Sequence, residues 1–180
     1  MNNNINLIVA MCKNNGIGNN NSLPWKIISD LKKFKNLTRG NGNNAIIMGK
    51  NTYISIQKSL PNRDNLILSS KLKINSINNN KITKTFDNIN LLNDFIKSKK
   101  YDEVWIIGGT QIYNLFLNNI TCNELIVNKI YVSYIDKEYT CDTFFPNIDN
   151  NIYRFMSQEI HATENKDLEY NIFDRVYCRI

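Results

Sequence analysis

The chain has 180 residues and a mass of 21.0 kDa, enough to bury one core without disulfide staples, so a single domain over residues 1–180 is expected. A hydrophobic content of 42% and a mean hydropathy of −0.38 suit a soluble globule, no apolar run approaches the roughly 18 residues of a membrane helix, and MNNNINLIVAM at the N-terminus has neither a basic leader nor a cleavage pattern. A membrane or exported protein is therefore disfavoured and a cytoplasmic one expected; the net charge of +6 suits an anionic partner, but scattered lysines with no aromatic-interleaved basic stripe disfavour nucleic acid.

INLIVAM, Ile5 to Met11, is a near-continuous apolar run, as a strand buried on both faces requires. A Gly- and Asn-rich loop follows and runs through Pro24 and Trp25 into a helix from about Ile28 to Leu37. AIIM (Ala45–Met48) is a second short strand, and GKNTYISI opens at Gly49 as a strand-to-helix turn. NLILSS (Asn65–Ser70) reads as the third strand and KITKTF as the fourth. LLNDFIKSKK carries Leu91, Leu92, Phe95 and Ile96 at helical spacing, with basic residues in its last turn. EVWIIGG is a fifth strand that feeds the helix TQIYNLFL.

The pattern then changes. KIYVSYI, YRFMSQEI and YNIFDRVYCRI are strand-like with no helix between them, and the last two alternate as a hairpin does. The first two thirds thus reads as βαβ units and the last third as antiparallel. Together they make an α/β fold, one mostly parallel sheet with an antiparallel C-terminal edge. Asparagine tracts between these segments read as turns and loops.

Cys12, Cys122, Cys141 and Cys178 form no C-x-x-C pair, and His161 is the single histidine. A zinc site or a disulfide framework is not expected, nor is any other metal. Buried, reduced thiols in a reducing compartment are the simpler reading, and with one histidine to act as base, thiol catalysis is disfavoured.

The first helix raises a chemical question. Ile27, Leu31, Phe34 and Thr38 share one stripe, and Asp30 falls beside them. An acid in a first turn suits the helix dipole and often caps it. On an apolar face, though, a carboxylate needs a partner or its pKa rises, and such an acid in a cleft binds a cationic or amidine-like heterocycle. Two strand-to-helix turns add a second theme: IIMGKNT through Gly49, Lys50 and Thr52, and VWIIGGTQIY through Gly108 and Gly109. Glycine lets a phosphate approach the backbone, so the pair suggests a ligand with separated phosphates, a dinucleotide, with Lys50 and Lys71 adding charge. Neither turn is a G-x-G-x-x-G fingerprint or a G-x-x-x-x-G-K-[ST] loop, which disfavours Rossmann dehydrogenases and P-loop ATPases.

IGNNNSLPW, SDLKKF, IIMGKNTYISI, LPNRDNLILSS, VWIIGGTQIY and DTFFP occur in that order. With these six motifs the chain resembles the dihydrofolate reductase family from Ile5 to Ile180. The resemblance implies a central eight-stranded, mostly parallel sheet with about four flanking helices. It also implies NADPH-dependent reduction of 7,8-dihydrofolate to tetrahydrofolate, with hydride passing to pterin C6 and a proton to N5. One-carbon metabolism, nucleotide precursor synthesis and antifolate binding go with that role, and a monomer is expected.

On the resemblance, Asp30 is the pterin-pocket acid and Ser133 its hydrogen-bonding neighbour, while Leu23, Pro24 and Trp25 belong to a mobile lid; Asp30, Ser133, Leu23 and Trp25 are the implied catalytic set. Asp30 would accept bonds from the pterin 2-amino group and N3, with a water as the immediate donor to N5. Ile8, Val9 and Leu31 would wall the pocket, Phe34, Ile56 and Leu60 would hold the p-aminobenzoyl ring, and Arg63 would grip the glutamate α-carboxylate with its planar fork. Ala10, Ile17 and Gly18 would meet the carboxamide, and Ile107 and Tyr113 the nicotinamide–pterin junction. Gly108 and Gly109, joined in the family by a cis peptide, would lie beside the pyrophosphate with Thr110, Gln111 and Ile112. Gly49, Lys50, Asn51 and Thr52 form the other phosphate turn, and Ser69, Ser70 and Lys71 the adenosine end.

The chain departs from the family pattern in several places: Ser133 for a usual Thr, Tyr53 for a common Trp, Thr110–Gln111 after the glycine pair, a single base at Lys50–Asn51, and Asp30 where animal enzymes typically have Glu. Three rival readings stand beside this one. The riboflavin-pathway reductase shares fold and NADPH but has no need of Asp30, Phe34 or Arg63. A basic nucleic-acid-binding module could keep the fold. A longer natural chain could carry thymidylate synthase, with which this domain is fused in some organisms.

Overall fold

The computed structural model describes residues 4–118, 125–161 and 169–180; Cys122 lies outside them. Its elements run β1 (Asn4–Cys12), β2 (Gly16–Gly18), α1 (Ile28–Arg39), β3 (Ala45–Gly49), α2 (Lys50–Ile56), β4 (Asp64–Leu68), β5 (Asn75–Asn78) and β6 (Lys81–Phe86). There follow α3 (Ile89–Ser98), β7 (Glu103–Gly108), α4 (Thr110–Asn118), β8 (Lys129–Ile135), β9 (Thr143–Phe144), β10 (Tyr153–Ile160) and β11 (Ile172–Arg179).

Among the described residues, nine strands form the main sheet in the order β10-β11-β8-β1-β7-β3-β4-β6-β5. The eight strands expected from sequence are all present. The ninth is β5, a short exposed strand of Asn75–Asn78 that pairs antiparallel with β6. Its polar sequence offers no apolar signal, so only its hydrogen-bonding edge reveals it. A second correction concerns β8. Its sequence falls in the stretch read as antiparallel, yet it runs parallel to β1, with Leu7 opposite Ile130 and Ala10 opposite Ser133. The antiparallel edge starts one strand later, where β11 pairs with β8 and β10 with β11.

Alternation along the buried strands sends side chains to two faces. On one, Leu7, Ile47, Leu66, Ile106 and Val132 pack with Leu92 and Ile96 of α3 and Phe116 of α4. On the other, Ile8, Ile46, Met48, Ile67 and Trp105 pack against Phe34 and Leu37 of α1 and Tyr53 and Ile56 of α2. Helices thus cover both faces, which is why the central strands read as unbroken apolar runs. β2 and β9 form a separate two-stranded ribbon beside the end of β1. Among the described residues, no helix is long and apolar enough to cross a membrane.

Candidate active site

A cleft of about 780 Å³ opens across the C-terminal ends of β1, β7, β3 and β4. Four adjacent strands span about 14 Å at ordinary strand spacing, the scale of a dinucleotide laid across the sheet. At one end the walls are Ile8, Val9, Asp30, Leu31 and Phe34; at the other they are Ser69, Ser70 and Lys71. Between them lie Gly49, Lys50, Asn51, Thr52 and Ile56 on one side and Ile107, Gly109, Thr110, Gln111, Ile112 and Tyr113 on the other. Ala10, Ile17, Gly18 and Leu23 also line the cleft.

α1 brings its acid into this cleft. The helix begins after Ile27, and no side chain caps its first turn, so Asp30 is not a cap. It is buried, with 8% of its surface exposed. Burial pushes its carboxyl above the ordinary carboxylate value, partly offset by the nearby Ser133 hydroxyl and by the Lys33 ammonium. Ser133 sits on β8, next to Ala10 of β1, and is buried. Leu31 and Phe34, which sequence placed on an oily stripe, are half-exposed because that part of the stripe borders the cleft, while Ile27 and Thr38 of the same stripe are buried.

The glycine turns sit mid-cleft. The peptide joining Gly108 to Gly109 is cis, and Gly108 has φ +116. A Cβ at Gly108 would lie 3.1 Å from the Tyr113 hydroxyl oxygen, so the turn needs glycine for both conformation and space. The Gly109 carbonyl accepts from Ile112 N at 2.9 Å and Tyr113 N at 3.0 Å, which starts α4. Thr110 donates to the Phe144 carbonyl at 2.6 Å and ties this turn to the β2/β9 ribbon.

Five residues expected at the site do not line the cleft itself. Gly108 and Ser133 stand directly behind lining groups. Trp25 is buried against Tyr139, ring centroids 5.4 Å apart, in a cluster with Ile27, Ile135 and Ile172. Leu60 packs on the Ile8 cluster, and Asn65 binds its backbone N–H and carbonyl at 2.8 and 3.0 Å. Arg63 is 1% exposed; its guanidinium donates to the Pro61 carbonyl at 3.0 Å and to the Thr38 hydroxyl. Burial, with Arg39 nearby, lowers its pKa, and none of the described carboxylates pairs with it.

Sequence reasoning did not pick out Asn21, Ser22, Ser55, Leu68 and Thr143, which also line the cleft. Thr143 was within reach, since it sits in the DTFFP motif; Ser55 follows Thr52 by one helical turn and shares its face.

The residues present fit a bound dinucleotide: glycine at the two close approaches, small hydroxyl side chains along the middle, and Lys50 and Lys71 as the cationic side chains among the described lining residues. With one buried acid at the far end, fold and cleft define a nucleotide-dependent α/β oxidoreductase. A sequence profile of the dihydrofolate reductase family matches residues 4–177. The chain is 35% identical over 176 residues to the Staphylococcus haemolyticus dihydrofolate reductase, covering 98% of this chain and 96% of that protein. It is 38% identical over 148 residues to that of Buchnera aphidicola subsp. Baizongia pistaciae, covering 82% and 80%. A solved dihydrofolate reductase from Enterococcus faecalis, complexed with NADP(H) and RAB-propyl, superposes with a TM-score of 0.76 at 23% identity, over 97% of this chain and 95% of that one, and shares its fold. The chain belongs to the dihydrofolate reductase family. Its reaction is the NADPH-dependent reduction of dihydrofolate to tetrahydrofolate.

Proposed function

We propose that Asp30 and Ser133 orient the pterin and that the two glycine turns hold NADPH across the sheet. The observation that carries this reading is a buried carboxylate opening into the same cleft as both turns. Gly49 to Thr52 and Gly109 to Tyr113 would hold the pyrophosphate and nicotinamide halves, and Ser69 to Lys71 the adenosine end. When bound, NADPH supplies the hydride, from nicotinamide C4 to pterin C6.

The chain's own groups do the rest. Asp30 accepts hydrogen bonds from the 2-amino group and N3, which fixes the ring face toward the hydride donor. The same carboxylate favours protonation at N5, the proton arriving by way of water. Ile8, Val9 and Leu31 keep the ring dry on its other sides. Phe34 and Ile56 grip the p-aminobenzoyl ring, and Leu60 supports that wall. Arg63, a buried cation with no carboxylate partner among the described residues, offers its fork to the glutamate α-carboxylate. Leu23 and Trp25 act as the lid edge and its anchor, and antifolates would compete for the Asp30 end.

The reading extends to one reductase domain over residues 1–180, working as a monomer. Free thiols at Cys12, Cys141 and Cys178 suit the cytoplasm. The test is an absorbance assay with NADPH and dihydrofolate. Asp30→Asn should bind NADPH normally and lose at least ~100-fold in turnover, the scale of acid–base effects; near-normal turnover would remove Asp30 from the role.

A further inference from the structure

Thr110 follows the glycine pair, at one of the places where the sequence departs from the family pattern. It lines the cleft and opens α4, yet its hydroxyl reaches sideways and donates to the Phe144 carbonyl at 2.6 Å. A threonine hydroxyl has one proton. With that proton on Phe144, Oγ1 can only accept, and a pyrophosphate oxygen has no proton to give it at neutral pH. The turn keeps backbone donors for a phosphate instead. The N–H groups of Ile112 and Tyr113 return to the Gly109 carbonyl, while those of Thr110 and Gln111, first in the helix, have no partner within it.

Phe144 ends β9 and stands opposite Gly16 of β2. Its ring is 43% exposed, so its side chain does not anchor it. On one side, Phe145 is buried edge-on against Tyr113 and donates its N–H to the Asn15 carbonyl at 2.8 Å. On the other, Thr143 pairs with Gly18 and lines the cleft. The path from the glycine turn to the opposite wall therefore runs Thr110, Phe144, Gly16, Ile17, Gly18. Each step is a hydrogen bond, a strand pairing or a peptide bond. Phe145 packed on Tyr113 anchors the base of the ribbon, and the Thr110 bond fixes the strand end beside it.

We propose that Thr110 is a positioning residue of the reductase. Its hydroxyl latches the β2/β9 ribbon to the start of α4, so that Ile17 and Gly18 stand ready for the nicotinamide end of NADPH while the backbone of the same turn takes the pyrophosphate. This rests on placing NADPH across the two glycine turns. Without the latch the ribbon is out of place part of the time, and the apparent affinity falls by the fraction correctly placed. A phosphate ligand would act differently, because its loss would weaken every molecule that carries the pyrophosphate.

The test is a pair of binding titrations, one with NADPH and one with 2′-phospho-ADP-ribose, which has the pyrophosphate and the adenosine end but no nicotinamide. Thr110→Val keeps the shape and removes the donor. It should weaken NADPH binding about 3–10-fold, the scale of one neutral hydrogen bond, and leave the fragment within about twofold of wild type. Thr110→Ser should restore NADPH affinity. Should Thr110→Val fail to fold, Thr110→Ala removes the same donor with less bulk and should give the same split. An equal loss for both ligands makes Thr110 a phosphate ligand, and no loss for either leaves it without a role in binding. Each of these overturns the proposal whatever happens to thermal stability. Failure of the cofactor placing is separate and shows in wild type, which would then bind the fragment as tightly as NADPH.

Discussion

Tyr113 donates its hydroxyl proton to the carbonyl oxygen of Ile8, 2.9 Å away, and so fastens α4 to β1 at the middle of the cleft. Both residues line that cleft, and the ring also rests edge-on against Phe145, centroids 4.9 Å apart. Burial pushes the phenol well above its ordinary range, so it serves as a fixed donor and not as a titrating group. Tyr113→Phe keeps the ring but leaves a buried carbonyl unpaired. It should cost about 1–3 kcal/mol of stability, the usual penalty for one orphaned acceptor, read as a lower urea midpoint at constant slope. An unchanged midpoint would show that the Ile8 carbonyl finds another partner.

Asp30 carries a stability consequence opposite to the catalytic one proposed for it. Its carboxyl is raised in the fold, mainly by burial, so the native state holds that proton more tightly than the unfolded chain does. The destabilisation is absent below the ordinary carboxylate value and grows as pH rises through the raised one. Asp30→Asn removes the group that must ionise. The ligand-free variant should therefore melt above wild type at pH 8, with the gap closing toward pH 4. Equal melting temperatures at both pH values would mean the buried carboxylate is compensated better than its surroundings indicate.

Arg63 is held by Thr38 and Pro61. The guanidinium donates to the Pro61 carbonyl and the Thr38 hydroxyl, and Thr38 in turn donates to the Phe34 carbonyl at 2.7 Å. Arg63→Leu should weaken dihydrofolate binding by about 2–5 kcal/mol, as for one partner of a buried charge pair, with NADPH affinity kept. Arg63→Lys should recover only part, because a point charge replaces a planar fork that bonds in two directions at once. The dihydrofolate Michaelis constant reads both; a value equal to wild type in Arg63→Leu would place the carboxylate contact elsewhere.

The parts of this molecule that were legible in sequence are those with local signals. β1, β3, β4 and β7 announce themselves as apolar runs, and the glycine pair at 108–109 marks its own turn. Asp30 stands out because an acid on an apolar stripe breaks the pattern. What stayed hidden depends on long-range pairing. β5 has no apolar residue to bury except exposed Ile77, and β8 takes its parallel sense from its crossover. Lys33, Asp174 and His161 are far apart in sequence and look like a scattered lysine, a strand acid and a lone histidine; the packing of α1 and of the residue after β10 on β11 brings them together. Leu31 and Phe34 illustrate the converse, since an apolar stripe cannot say whether it faces a core or a ligand.

Gly16 packs the thiols against the ribbon at the cleft wall. β2 pairs with β9, and the Asp142 N–H donates to the Gly18 carbonyl at 3.0 Å while Asp142 Oδ2 accepts from Asn20 N at 2.8 Å; these contacts hold Ile17 and Gly18 at the cleft wall. Cys12 and Cys141 meet beneath the ribbon with sulfurs 3.9 Å apart. A Cβ on Gly16 would stand 2.3 Å from Cys141 Sγ, 2.7 Å from Cys141 Cβ and 2.9 Å from Cys12 Sγ. Cys12 has no room to yield, being fully buried with its thiol donating to Asn14 Oδ1 at 2.8 Å. Gly16→Ala should therefore push the ribbon outward, costing about 1–3 kcal/mol as overpacking does, and should weaken NADPH binding through Ile17 and Gly18. Adding Cys141→Gly removes the two closest atoms and should recover most of the loss, a coupling of about 0.5–3 kcal/mol in a double-mutant cycle read by urea unfolding and NADPH titration. Additive effects of the two changes would show that the alanine methyl escapes the sulfurs by another route.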